Sequence, residues 1–142
     1  MGNLRYKLAM IDRLFMAAVY TLNILSELGY CHVMMGPDYS VPQHPGFFWF
    51  YLLSSGAMVL LAGQLLWRGP RCDGKRSMWL LLWLTGLQFG AIAADIVYAV
   101  MHGELWMDGY VFLILELLFI AAYLRRYAML RAARERGAED GI

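Results

Sequence analysis

The stretch MWLLLWLTGLQFGAIAADIVYAVM, Met78–Met101, contains no proline and a single charged residue, Asp95. A helix rises 1.5 Å per residue, so a run of this length is enough to cross a hydrocarbon core of about 30 Å. Working outward, three more apolar runs of spanning length appear: Leu14–Met34 and Phe47–Trp67 before it, and Tyr110–Tyr127 after it. Lipid offers open backbone groups no partners, and runs this long and continuous satisfy them as helices rather than as barrel strands. The expected fold is therefore all-α: a polytopic membrane protein with a four-transmembrane-helix bundle. It forms one domain over residues 1–142, ending in a cytoplasmic tail at 128–142.

Composition agrees with the pattern. Hydrophobic residues make up 61% of the chain and its mean hydropathy is +0.50, beyond the usual apolar share of a soluble domain. The first run is too long for the core of a signal peptide and is not followed by a small-residue cleavage pattern, so it is expected to be a retained span.

The 12 basic residues occupy three places: Arg5, Lys7 and Arg13; Arg68, Arg71, Lys75 and Arg76; Arg125, Arg126, Arg131, Arg134 and Arg136. The two remaining loops have none. By the positive-inside rule both termini lie in the cytoplasm, and the loops Gly36–Gly46 and His102–Gly109 lie outside. The expected location is a bacterial inner (cytoplasmic) membrane. Phe47, Phe48, Trp49, Tyr51, Trp67, Trp79 and Trp106 stand near span ends, where amphipathic rings collect. The tail reads as basic then acidic and solvated, with helix continuing as far as Arg136.

A carboxylate within hydrocarbon costs about 2.5–3.5 kcal/mol on insertion scales, which makes Glu27, Asp95 and Glu116 the informative residues. Counted inward from the outer ends of their spans, all three fall roughly 9–10 Å deep. Acids from three helices at one depth suggest a shared cavity in the outer half of the bundle. Carboxyl groups packed closely in a low dielectric do not all ionise together, so one would hold a proton that it can transfer. Each acid taken singly suits a structural hydrogen bond equally well. Tyr20 and Asn23 share a face with Glu27, and Gln88 and Tyr98 share one with Asp95. These four are the candidate ligand-binding residues, and the three acids are the candidate catalytic ones.

Other features carry less. Gly86, Gly90 and Ala94 form a small-residue stripe that suits close packing within the bundle, and Gln64 reads as a polar helix contact. His32, His44 and His102 all fall at the outer surface, near Asp38, Glu104 and Asp108; metal binding there is conceivable, but they read first as exposed loop histidines, since no pair has the spacing that fixes metal ligands on one helix face. The loop Gly36–Gly46, with three prolines, reads as an extended cap over the outer mouth or as a plain linker. Cys31 and Cys72 fall on opposite sides of the membrane and cannot pair within one chain. No metal or cofactor site and no nucleic-acid-binding patch is recognisable. The partners indicated are the lipid bilayer and a small lipophilic ligand, with a homodimer or a larger membrane complex left open.

In span one Asn23-Ile24-Leu25-Ser26-Glu27-Leu28-Gly29, and in span three Ala94-Asp95-Ile96-Val97-Tyr98, resemble motifs of the EXPERA group of four-helix membrane proteins, which includes the emopamil-binding sterol isomerase and the sigma-2 receptor. The first is similar to that isomerase's His-x-x-x-Glu-Gly and the second to its Gly-Asp-x-x-Tyr. The resemblance implies a bundle cavity that holds a sterol-like or cationic amphiphile, with Glu27 and Asp95 as cavity acids that move a proton across a double bond. Asn23 stands where the family has histidine, Ser54 and Ser55 where span two offers an acid, and Glu116 where asparagine is expected. Three functions follow as expectations: binding, with or without isomerisation, of a small sterol- or isoprenoid-like lipophile; small proton-coupled transport; or an accessory role in a larger membrane complex.

Overall fold

The computed structural model describes residues 2–36, 44–68, 75–105 and 110–140. They form four helices, α1 (Gly2–Met34), α2 (Pro45–Arg68), α3 (Lys75–His102) and α4 (Tyr110–Asp140). The chain is thus an all-α four-helix bundle. Each helix is longer than the apolar run that defines it. Polar backbone is satisfied as well by helix as by water, so α1 extends back past Arg13, and α4 continues through the charged tail to Asp140. The tail's helix therefore runs beyond the Arg136 limit expected from sequence.

α1, α2 and α3 are long and apolar enough to cross a membrane. α4 reaches Arg125 and Arg126 before eighteen residues of it have passed, which sets it apart from the other three. The outward faces are apolar. Leu14, Leu22, Leu25 and Leu28 on α1, Leu53 and Leu60 on α2, Trp83, Ile96 and Val100 on α3, and Ile114, Leu117 and Leu118 on α4 are all exposed. In water such a surface would aggregate; facing lipid it is the expected solvent-matched exterior.

α1 and α4 run antiparallel, as residue pairings show: Asp12 meets Arg126, Asn23 meets Tyr123, and Tyr30 meets Phe112; so do α2 and α3, where Phe47 meets Tyr98 and Phe50 lies against Gly90. α1 packs most extensively on α2 and α3 on α4, so the bundle is two hairpins joined through an α2–α3 interface. The seam between α1 and α4 is the sparsest of the four neighbouring interfaces.

The interior has two apolar clusters. The larger, toward the end that carries Arg13, Lys75 and the α4 tail (the basic end), includes Met16, Met58, Ala62, Leu81, Leu84, Phe119 and Tyr123. The smaller, toward the opposite end, comprises Tyr30, Met34, Phe48, Tyr51 and Tyr98. Between and around them lie the buried polar groups Asn23, Glu27, Ser54, Ser55, Thr85, Gln88 and Asp95. Thr85 turns its hydroxyl back to the Leu81 carbonyl at 2.8 Å, and Ser54 to that of Tyr51 at 3.1 Å. These two polar side chains thus satisfy themselves on their own helices.

The small-residue stripe of α3 divides. A side chain built at Gly90 would meet the Phe50 ring at 3.6 Å, so the stripe does admit α2 there. Gly86 is exposed with open space beside it, and Gln64 is exposed as well. Neither makes the bundle contact expected of it, because both lie on the outward side of their helices. The loop cap expected over residues 36–46 falls mostly outside the described residues, as does Cys72; Cys31 is a free thiol.

Candidate functional site

The three acids singled out by the sequence lie near one another. Glu27 and Asp95 are buried, and Glu116 is half-buried. Asp95 on α3 and Glu116 on α4 are neighbours across the interior. Asp95 accepts from the Tyr51 hydroxyl of α2, and Ser55 of α2 lines the same small cavity as Glu27. Each helix of the bundle therefore contributes to the cluster: Glu27 from α1, Tyr51 and Ser55 from α2, Asp95 from α3 and Glu116 from α4.

Helical spacing explains the convergence. Tyr51 and Ser55 are one turn apart on the inward stripe of α2, as are Ala91 and Asp95 on α3. Each of these four is buried. Ser26, Glu27, Tyr30, Tyr51, Ser54, Ser55, Met58, Ala91, Phe112 and Glu116 enclose a cavity of about 10 Å³, room for about one water. Asp95 stands outside this lining, behind Tyr51 and Glu116. One Glu116 oxygen, Oε2, is buried without a hydrogen-bond partner, which leaves an acceptor with unused capacity at the cavity wall. Its walls come from both sides of the sparse α1–α4 seam, with Glu27 and Tyr30 on one side and Phe112 and Glu116 on the other.

The four candidate ligand-binding residues do not join this lining. Asn23 and Gln88 are each 0% exposed and form a separate layer one turn nearer the basic end. Gln88 Nε2 donates to Asn23 Oδ1 at 3.2 Å, and Asn23 Nδ2 donates to the Tyr123 hydroxyl at 2.5 Å. Tyr20 stacks on Tyr123 with ring centroids 5.9 Å apart, deeper still. Tyr98 lies at the opposite end, where its ring packs on His102 (4.5 Å), Phe47 (5.1 Å) and His44 (5.5 Å). Face sharing along one helix put these residues with the acids; a turn or more of axial offset separates them.

The histidines also regroup. His44 and His102, far apart in sequence, lie with ring centroids 4.4 Å apart and planes tilted by 56°, whereas His32 is exposed on α1. Among the described residues no group of three or more His, Cys, Asp or Glu side chains is placed to hold a metal ion.

Sequence reading placed Tyr51 among the interfacial aromatics, whereas it is buried against Asp95; it noted Ser55 only as standing where an acid is expected, and found no signal for Tyr30. It also missed Asp12. That side chain is buried at the basic end between Arg125 and Arg126, 2.7 Å from each. Asp12 falls just outside the apolar run of α1, so it carried no signal as an intramembrane acid. The adjacent arginines at the matching end of α4 were the available clue.

No protein-family model, no curated protein and no solved structure matches the chain.

Proposed function

We propose that this chain is a four-span protein of a bacterial inner membrane, with both termini in the cytoplasm, that binds a small sterol- or isoprenoid-like lipophile and can pass it a proton. α4 supplies the fourth span, its two arginines marking the cytoplasmic interface. The observation that carries the reading is the small cavity that Glu27 and Glu116 share across the sparse α1–α4 seam, with Asp95 beside it on the Tyr51 hydroxyl. Buried acids without cationic partners are costly in a membrane, and such groups mark ligand or proton sites. The cavity in the closed bundle takes about one water, so the guest enters sideways from lipid as α1 and α4 part.

In the chemical step an acid of the Asp95–Glu116 pair gives its proton to one alkene carbon of the guest. The resulting cation loses a proton from the neighbouring allylic carbon to a carboxylate, Glu27 or the pair's conjugate base. The double bond has moved, and the proton count of the site is restored. Tyr51 and Ser55 hold the acids in place through their hydroxyls.

The test is to incubate the purified protein with farnesol in deuterated water and to follow deuterium uptake at the allylic positions by mass spectrometry. Uptake by the wild-type chain, lost in Glu27→Gln and Glu116→Gln, is the expected outcome. Neither binding nor uptake in the wild type, or unchanged behaviour in both amide variants, would reject the reading.

A second reading, proton-coupled transport, is favoured by one specific observation. The Gln88–Asn23–Tyr123 chain and Tyr20 continue the polar interior from the acids toward Arg126 and Asp12. Substrate-dependent proton flux in reconstituted vesicles would select it.

A further inference from the structure

A second site lies at the basic end, away from the acid cluster. All four helices line a cavity of about 360 Å³ there, within the range of small-molecule sites. Leu14 and Ala17 of α1, Leu65 of α2, Leu81 of α3 and Leu130 of α4 give it hydrocarbon walls. Along α1 its lining runs from Met10 to Tyr20, roughly 15 Å at 1.5 Å per residue. At about 30 Å³ for each water-sized group, the space takes about a dozen. Tyr20 closes the inner end. Its ring stacks on Tyr123, which belongs to the polar layer of Asn23 and Gln88. The cavity is therefore long, apolar and separate from the acids.

Arg13 and Arg126 stand at its edge, and both are already engaged within the chain. Asp12 lies 2.7 Å from Arg126 and from Arg125. An anionic guest would have to compete with Asp12 for a guanidinium that is already met, and a cationic guest would be repelled by the two arginines. Either charge would also exchange its hydration for hydrocarbon. An uncharged guest meets none of these costs. We infer that this cavity binds a neutral single-chain lipophile about a dozen carbons long, of the fatty-alcohol class. Its chain lies along the leucine walls, and its small uncharged head rests at the arginine edge without disturbing the Asp12 pairs.

The probe is a dodecanol that carries a diazirine on its chain. It is photolysed with the full protein in phosphatidylcholine nanodiscs, and the labelled residues are mapped by peptide mass spectrometry. Labelling should concentrate on α1 between Met10 and Tyr20 and on Leu65. Unlabelled dodecanol should compete for it at least about tenfold better than dodecyl phosphate or dodecyltrimethylammonium, which have the same chain and a charged head. Ala17→Phe, which fills the middle of the cavity, should cut this labelling severalfold. Leu14→Trp narrows the cavity from an exposed position, where little packing is disturbed, and should do the same. Arg131→Ala alters a surface arginine paired with Glu135 and should label as the wild type does. Labelling spread evenly over the outward faces of the bundle, equal competition by dodecyl phosphate, or wild-type labelling in either cavity variant would overturn the assignment. The readout makes no use of Glu27, Asp95 or Glu116, so this assignment and the acid-site reading stand or fall separately.

Discussion

Replacing Asp12 by asparagine removes the one negative charge between Arg125 and Arg126, and the size of the effect follows from how deeply each partner sits. The Asp12 side chain is 6% exposed, that of Arg126 16% and that of Arg125 51%. For a near-contact pair at an effective dielectric of about 20, the Coulomb attraction is roughly 4 kcal/mol. Losing one partner of a buried pair typically costs about 3–5 kcal/mol. Arg126 recovers part of this by swinging its head toward the interface on its long stem, which puts the expected loss for Asp12→Asn at about 3 kcal/mol. Arg125 is half in water already, so Arg125→Ala should cost under about 1 kcal/mol. The assay is reversible unfolding of the purified chain in mixed detergent micelles, followed by helical circular dichroism. The double variant Asp12→Asn/Arg126→Gln should lose less than the sum of its single changes, since each alone strands a charge that the other removes. Additive losses, or an Asp12→Asn cost no larger than that of Arg125→Ala, would refute the claim that Asp12 and Arg126 form a buried ion pair.

Other outcomes follow from the same interior. Asn23→Leu strands the Gln88 amide and the Tyr123 hydroxyl and should cost about 1–2 kcal/mol in the same unfolding assay, the scale of hydrogen bonds between membrane helices. Tyr51→Phe removes the donor to Asp95; it should lower stability by about 1 kcal/mol and reduce, without abolishing, the deuterium uptake described above. Gly86→Ala, at an exposed helical position with no atom near the new methyl, should stabilise the chain by about 0.5–1 kcal/mol, whereas a loss would mean that a neighbour occupies that face.

The architecture was legible where the signal is length and continuity. Met78–Met101 could be nothing other than one long helix, and α3 runs Lys75–His102. That the three acids stand at a similar level along the bundle was legible too, because 1.5 Å per residue turns a sequence offset into a height. Lateral placement was harder. Asn23 and Gln88 share faces with Glu27 and Asp95, yet they bond to each other and to Tyr123, since which residues meet across a bundle depends on the axial stagger of helices joined by loops. Tyr51 and Ser55 were noticed without being placed in the site for a related reason: α2 has no acid to draw attention to its inward stripe. The meeting of His44 with His102 depends on how two loops bring helix ends together, which spacing along one chain does not encode.

The division into two hairpins has a mechanical corollary for the acids. Asp95 and Glu116 ride on the same half and stay together when the halves swing apart, while Glu27 departs with the other. Tyr51 reaches Asp95 across the spine about which such a swing would turn, so that bond endures as the aperture widens. Opening the bundle would therefore split the trio into a lone carboxyl group and an intact couple on opposite banks of the breach, and closing it would press whatever had entered between them.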